Sequence, residues 1–183
     1  MSLLKTREFI LQEKMISLTD KGTIMNTNKD VIGTFRGKVI KIGNTYRIKD
    51  LEENPVLTIH EKIVSIHSTY RYYKGGEQDD DKYLGQLKRK IVSITPKYWF
   101  EDPQGNRVFT MKGNILTLKY KILKDNKVVA EINKKFFKSI LKGTYGIKVI
   151  PELDDDSTML VLGIVIMLHH EKEEKRYDRS LIR

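Results

Sequence analysis

The chain has 183 residues, of which 39% are hydrophobic and 32% are charged, a composition typical of one soluble globular domain with a real core. It contains no Cys, which excludes disulfides, a thiol nucleophile and a thiolate metal site. A reducing cytoplasm is therefore the simplest expectation for its location. Residues 1–7 also lack the apolar core of a signal peptide.

The formal net charge of +10 is unevenly distributed along the sequence. Residues 82–142 contain 15 Lys or Arg against only four acidic residues, whereas the rest of the chain is nearly balanced. A one-sided basic field favours anionic partners, such as phospholipid headgroups or nucleic acid. A lysine-rich solvated surface with no ligand is the alternative interpretation.

One pattern recurs six times: apolar, two others, apolar, two others, Lys, two apolar residues, any residue, apolar. Its clearest copies are residues 32–42, 56–66 and 84–94, and a fourth copy, 108–118, has Asn114 in place of Lys. The fifth slips after Lys135, and a worn first copy contains Lys14. Repetition at this period decides the architecture before local propensity does.

Each repeat predicts two strands joined by a tight connection. In the second repeat, residues 56–66 are followed by Tyr70–Tyr73, and in the third, residues 84–94 are followed by Tyr98–Phe100. These runs are rich in β-branched and aromatic residues, as half-buried strands require. Clusters of Gly, Asn, Asp and Pro separate one hairpin from the next.

The Lys-apolar-apolar step interrupts strict alternation in every copy, which predicts a β-bulge or bend at each one. Six bends in one direction would curve the sheet until it closes. The repeats therefore predict a mainly β fold, a closed antiparallel barrel of about twelve strands built from six hairpins.

A final apolar segment, Met159–Leu168, follows the acidic run Asp154–Asp156. The acids suit a helix N-terminus, and the run is apolar all round, so it must be buried on every side. We predict a central helix at about 156–170 inside the barrel, although a buried strand has the same composition. Its ten apolar residues would reach only about 15 Å, too short for a transmembrane helix. Residues 1–170 would form one domain, followed by a charged tail, 171–183.

Five stretches carry a family resemblance: residues 12–21, 86–98, 129–137, 144–149 and 154–168. Through them the chain resembles the LURP-one-related family, within the tubby C-terminal-like superfamily that also includes the phospholipid scramblases. The resemblance spans about residues 7–170, and its motifs are structural. It implies a twelve-stranded barrel around a central C-terminal helix, in agreement with the repeat count.

The resemblance implies little about activity. Tubby-like relatives bind phosphoinositides and scramblases act on phospholipids, but no catalytic motif, phosphoinositide site or calcium site carries over residue by residue. The sequence itself offers no cofactor motif. His169 and His170 are interpreted as capping the helix C-terminus, His60 and His67 lack a third metal ligand, and Asp79–Asp81 lacks calcium-loop spacing. We therefore predict neither catalytic residues nor a metal site.

The binding candidates are basic residues that do not belong to the repeated motif. The motif lysines recur in nearly every hairpin and are assigned to the bend, whereas a binding site should be local. Tyr98 and Trp99 could lend aromatic contacts or could be core residues. Adjacent hairpins should bring the candidates close together. They are Lys88, Arg89, Lys119, Lys121, Lys134 and Lys138.

The sequence thus predicts a non-enzymatic binding module whose basic face recognises anionic phospholipid headgroups. The expected location is cytoplasmic, with peripheral contact to a membrane. Nucleic-acid binding through the same face is the alternative, although no nucleic-acid motif supports it. A scaffold domain without a ligand is the third hypothesis.

Overall fold

The computed structural model of the protein describes residues 3–14, 21–38, 43–64, 67–90, 97–114, 117–136 and 144–181. These ranges hold twelve β-strands, one long α-helix and two short 3₁₀ turns, Leu3–Lys5 and Asp80–Lys82. The strands are β1 Glu8–Lys14, β2 Lys21–Met25, β3 Val31–Lys38, β4 Thr45–Lys49, β5 Pro55–Val64, β6 His67–Lys74, β7 Tyr83–Lys90, β8 Lys97–Glu101, β9 Arg107–Asn114, β10 Lys119–Lys124, β11 Lys127–Asn133 and β12 Thr144–Val149. The helix, α1, begins at Asp155 and ends at Leu181.

The twelve strands form one closed antiparallel barrel. Each strand pairs with the strands before and after it in sequence, and β1 pairs with β12 to complete the circle. The odd strands are the long halves of the repeats. Because neighbouring strands are antiparallel, all odd strands run in one direction and all even strands in the other. The predicted barrel of six hairpins is confirmed, and closure leaves no exposed sheet edge.

The interior of the barrel is filled by the first part of α1. Val161, Leu162, Ile164 and Val165 are all fully buried. The helix lies close against the wall at Gly163, where an added Cβ would stand 2.5 Å from Leu57 Cδ2. The prediction that Met159–Leu168 forms a buried helix is confirmed, and the strand alternative is wrong. Burying each large side chain contributes about 1.5–3 kcal/mol before entropy is counted.

The acidic run fixes the N-terminus of α1 as the sequence predicts. The carboxylate of Asp154 accepts a 2.7 Å hydrogen bond from the backbone N–H of Ser157, which is the N-cap geometry. The carboxylate of Asp155 accepts hydrogen bonds from Lys5 Nζ at 2.7 Å and Arg7 Nη2 at 2.9 Å. These contacts tie the start of the helix to the start of the chain.

The predicted bulge is absent from the one copy whose Lys-apolar-apolar step the structure describes in full. In the second repeat, the step from Lys62 to Val64 pairs one-for-one with β6, so the predicted bulge is wrong there. In the other copies the step extends into residues outside the described ranges. Register shifts instead recur between each even strand and the odd strand that follows it, where one residue near the start of the odd strand has no partner: Ile32, Val56, Leu84, Val108 and Val129. The sheet is therefore bent where the even strands approach the N-terminal end of α1.

Candidate functional site

The predicted basic residues that the structure describes are distributed over two strands and a connection of the barrel. Lys88 and Arg89 lie on β7, whereas Lys119 and Lys121 lie on β10, and β8 and β9 run between them. Three strand spacings separate the two pairs by roughly 14 Å. Exposed Lys134 follows β11. Lys138 falls outside the described residues.

Three of these candidates already have carboxylate partners. Lys88 pairs with Glu101 at 2.6 Å, and Lys121 pairs with Glu131 at 2.8 Å. Arg89 turns inward and pairs with Glu171 of α1 at 3.0 Å. An anionic ligand would have to displace these carboxylates, so the three cations contribute less to binding than free ones would.

A cleft opens in the outer wall where β8 and β9 separate. The two strands pair from Glu101 back to Trp99, opposite Thr110, and the ladder stops there although both strands continue. Lys97 pairs only with Lys90 on β7. We call this opening the β8–β9 cleft. It is lined by Lys90, Lys97, Lys112, Tyr98, Trp99 and Met111, with further residues of β9 and Asn126 of the β10–β11 connection.

Three lysines of the β8–β9 cleft are exposed. Lys90, Lys97 and Lys112 form no ion pair with any carboxylate that the structure describes. Lys90 and Lys97 also face each other across the hairpin, and like charges directly opposite destabilise a sheet. The cleft therefore concentrates positive charge that nothing in the described chain neutralises.

The two aromatic residues of the cleft have different roles. Tyr98 is a core residue, only 4% exposed, and its hydroxyl donates to Glu171 Oε2 at 2.6 Å. Trp99 lies on the outer face, where its Nε1 donates to Glu101 Oε1 at 2.7 Å. The Arg107 guanidinium stands 4.8 Å from the centroid of the Trp99 ring. Trp99 thus joins the cleft surface, whereas Tyr98 connects it to the helix.

Sequence reasoning missed Lys97 and Lys112 and assigned Lys90 to the repeated bend. A signal was present, because Lys90 and Lys97 flank a connection, 91–96, that contains no acidic residue. Separation of β8 from β9 cannot be read from sequence, since it depends on which residues pair.

The two ends of the barrel differ in their charged residues. Each connection at the N-terminal end of α1 contains a carboxylate: 26–30, 50–54, 75–82, 102–106, 125–126 and 150–156. At the other end, lysines begin or finish many strands: Lys14, Lys21, Lys38, Lys90, Lys97 and Lys119. Lys90 and Lys97 of the β8–β9 cleft lie at this basic end, whose field favours an anionic ligand.

A polar cluster lies inside the barrel where α1 approaches the basic end. Glu171 accepts hydrogen bonds from Arg89 and Tyr98, and its side chain is 7% exposed. Burial raises the pKa of the Tyr98 hydroxyl, and the neighbouring Glu171 carboxylate raises it further. Arg89 and Tyr98 both belong to strands of the barrel wall, so the cluster fixes the helix inside the barrel.

The two histidines of α1 do not cap the helix. His170 Nε2 lies 2.6 Å from the Tyr46 hydroxyl, and the His169 ring packs 4.8 Å from the ring of Tyr145. The capping interpretation is wrong because the charged segment that follows continues the helix to Leu181. Within the described ranges, no cluster of three or more His, Cys, Asp or Glu could hold a metal ion.

No helix in the described part of the chain is both long enough and apolar enough to cross a bilayer.

Comparison with known proteins identifies the family. The sequence model described as LURP-one-related matches residues 7–169. The chain belongs to the LURP-one-related family. Protein LURP-one-related 10 of Arabidopsis thaliana is 24% identical, with 93% of each chain covered. Protein LURP-one-related 15 of the same plant is 28% identical over 86 residues, covering 46% of this chain and 40% of that protein.

A solved structure supports the fold of this LURP-one-related chain. An X-ray structure of an Arabidopsis thaliana protein superposes with a TM-score of 0.63 and covers 91% of this chain and 94% of its own. The two sequences are 14% identical, so this similarity concerns the fold alone.

Proposed function

We propose that this LURP-one-related chain is a non-enzymatic binding module whose β8–β9 cleft takes an anionic phospholipid headgroup. The observation that carries the proposal is the set of three exposed lysines, Lys90, Lys97 and Lys112, with no carboxylate partner in the described chain. A bound phosphate or carboxylate would supply the missing negative charge. The module would then act at a membrane surface from the cytoplasmic side.

The contrast with the rest of the barrel supports this assignment. Some other cations of the outer wall face carboxylates across neighbouring strands, as in Lys121–Glu131 and Lys148–Glu8. At the acidic end of the barrel, which is the end where α1 begins, Lys74 and Lys82 are likewise ion-paired. The three lysines of the cleft differ from these ion-paired cations, and a bound anion would reduce the repulsion among them.

A phospholipid headgroup fits this site better than a nucleic acid does. Single-stranded nucleic acids bind along a series of aromatic rings on which bases stack. The cleft has one outward ring, Trp99, and Arg107 already lies against it. Lysines on long stems, by contrast, suit the surface of an anionic membrane, where each contributes about 1 kcal/mol.

The absence of an enzymatic role is part of the proposal. Thr45 Oγ1 lies 3.2 Å from His60 Nδ1, a hydroxyl–imidazole contact of the kind that activates nucleophiles. Thr45 is only 5% exposed, so a substrate would have no access to its hydroxyl. We interpret this contact as a cross-strand hydrogen bond between β4 and β5.

Vesicle co-sedimentation tests the proposal. The protein should bind vesicles containing phosphatidylserine but not pure phosphatidylcholine vesicles. Binding should weaken sharply between about 0.1 M and about 1 M salt, because the Debye length falls from ~10 Å to ~3 Å. Equal behaviour toward both vesicles at low salt would contradict it. Preferential capture of an oligonucleotide would favour the nucleic-acid alternative, and no binding to either would favour a scaffold.

A further inference from the structure

A second group of cations lies on the opposite side of the barrel. Lys21 of β2, Arg36 of β3 and Arg47 of β4 stand side by side in register across three neighbouring strands. We call these three residues the β2–β4 row. Lys21 and Arg36 are exposed and Arg47 is half-buried.

The pleat directs this row to the outer face. Phe35, Tyr46 and Ile48, which adjoin the two arginines along their strands, are at most 3% exposed and fill the barrel. Because successive side chains in a strand point to opposite faces, Arg36 and Arg47 must point outward. Adjacent strands are about 4.8 Å apart, so the row spans roughly 10 Å.

The β2–β4 row is not balanced by any carboxylate within the described ranges. None of its three members forms an ion pair with an acidic residue that the structure describes, whereas Lys49, farther along β4, pairs with Glu53 at 2.8 Å. Lys21 faces Arg36, and Arg36 faces Arg47, so two like-charged pairs stand directly opposite each other. Each such pair destabilises a sheet. Lys14 of β1 continues the register opposite Lys21.

The chemistry of the row suits phosphate. A guanidinium is planar and donates two parallel hydrogen bonds to a phosphate or carboxylate. The guanidiniums of Arg36 and Arg47, with the ammonium of Lys21 beside them, can surround one phosphate group. Each guanidinium can then donate hydrogen bonds to two of the phosphate oxygens. A charged row on a flat strand surface also admits a ligand that is attached to something large, such as a bilayer.

The β2–β4 row and the β8–β9 cleft lie on different sides of the barrel. In the closed order of strands, β3 is six strands away from β9 in either direction around the barrel. The β2–β4 row and the β8–β9 cleft therefore face opposite ways. We propose that Lys21, Arg36 and Arg47 form a second phosphate-binding site, so that a single chain bridges two anionic phospholipid surfaces. The lipid identity of the ligand rests on the proposed function.

Vesicle clustering, measured by light scattering, tests the bridge. Wild-type protein should cluster phosphatidylserine-containing vesicles at low salt. The double variant Arg36→Gln/Arg47→Gln should still co-sediment with vesicles through the cleft but should lose clustering. Lys97→Gln/Lys112→Gln, which removes the other site, should lose clustering as well. Clustering by Arg36→Gln/Arg47→Gln at the wild-type level would overturn the inference while leaving the proposed function intact.

A charge-matched variant is the control. Lys74→Gln/Lys82→Gln removes the same two charges, but from ion-paired residues at the acidic end of the barrel. It should cluster vesicles as the wild type does, and loss of clustering in it would assign the effect to net charge and overturn the inference. Folding is not expected to suffer in Arg36→Gln/Arg47→Gln, since two repulsive pairs are removed; thermal unfolding checks this.

A soluble probe tests the row without any membrane. Inorganic pyrophosphate should cause saturable shifts in the side-chain Nε–H resonances of Arg36 and Arg47, and these shifts should persist in Lys97→Gln/Lys112→Gln. Shifts without vesicle binding would support the row with a soluble phosphate compound as ligand, and would refute the proposed lipid function. Absence of saturable shifts in both arginines would overturn the second site.

Discussion

The hydroxyl of Tyr98 donates a 2.6 Å hydrogen bond to Glu171, and this contact ties β8 to the central helix. Arg89, directly opposite Tyr98 on β7, donates to the same carboxylate oxygen at 3.0 Å. One hairpin therefore holds the helix from two positions, and the same hairpin carries Lys90 and Lys97 of the cleft. The site thus rests on a part of the wall that is anchored to the core.

This contact predicts that replacing Tyr98 by Phe and replacing Tyr120 by Phe will have different effects on the free energy of unfolding. Tyr98→Phe leaves the buried Glu171 carboxylate with one donor fewer, and should reduce the free energy of unfolding by about 1.5–3 kcal/mol, as for a hydrogen bond to a charged group. Urea unfolding followed by circular dichroism measures the change.

Tyr120→Phe is the matched control. The Tyr120 hydroxyl is buried and has no hydrogen-bond partner in the described chain, so its removal should be neutral or stabilising. Equal destabilisation by both substitutions would contradict the anchoring role of Tyr98.

The repeats were enough to predict the barrel, for a physical reason. Spacings of 24 residues between Lys14, Lys38 and Lys62 recur because each copy is one hairpin of fixed length, and hairpins are local structures. The all-round apolar character of Met159–Leu168 likewise admits only a fully enclosed helix or strand. The acidic cap before it favours the helix, and α1 does begin there.

The candidate site was less predictable because its chemistry depends on distant pairs. Arg89 and Glu171 are 82 positions apart in the chain, and nothing local to Arg89 indicates that its charge is neutralised. Lys121 acquires its carboxylate from Glu131 only through the register of β10 with β11. Which lysines remain free is a property of strand pairing, so Lys97 and Lys112 could not be chosen from sequence.

The close packing of α1 against the wall predicts the sign of a glycine substitution. In an exposed helix, Gly163→Ala would stabilise by about 1 kcal/mol through helix propensity. Here the new methyl group would meet Leu57 Cδ2 at 2.5 Å and Tyr72 Cε1 at 2.9 Å. Overpacking costs typically ~1–3 kcal/mol, so a net destabilisation is expected in thermal or urea unfolding. A stabilised variant would place Gly163 away from the wall.

The start of α1 predicts a pH dependence. Hydrogen bonds from Lys5 and Arg7 lower the pKa of the Asp155 carboxyl below its usual value. The pKa of Asp155 in the folded protein is below its pKa in the unfolded chain, which is ~3.9. The stabilisation is therefore complete above the unfolded pKa and is lost as the pH falls through the folded pKa. Asp155→Asn should therefore flatten the acid limb of a plot of unfolding free energy against pH.

An unpaired carboxylate provides the comparison for that experiment. Asp81 forms no ion pair within the described residues, so Asp81→Asn removes the same charge without removing contacts like those of Asp155. If the plots of unfolding free energy against pH for Asp155→Asn and Asp81→Asn coincide, the stabilising role of the contacts from Lys5 and Arg7 to Asp155 is contradicted.

The most direct measurement of the central claim is the affinity of charge-reversed protein for phosphatidylserine-containing vesicles. It is best made in the Arg36→Gln/Arg47→Gln background, where only the β8–β9 cleft remains to bind. Adding Lys97→Glu/Lys112→Glu should weaken binding at least about tenfold, since each lysine near an anionic surface contributes ~1 kcal/mol and 1.4 kcal/mol is a factor of ten. Adding Lys74→Glu/Lys82→Glu instead, at ion-paired positions, should leave most of the affinity. Equal weakening by both pairs would contradict a cleft-centred site.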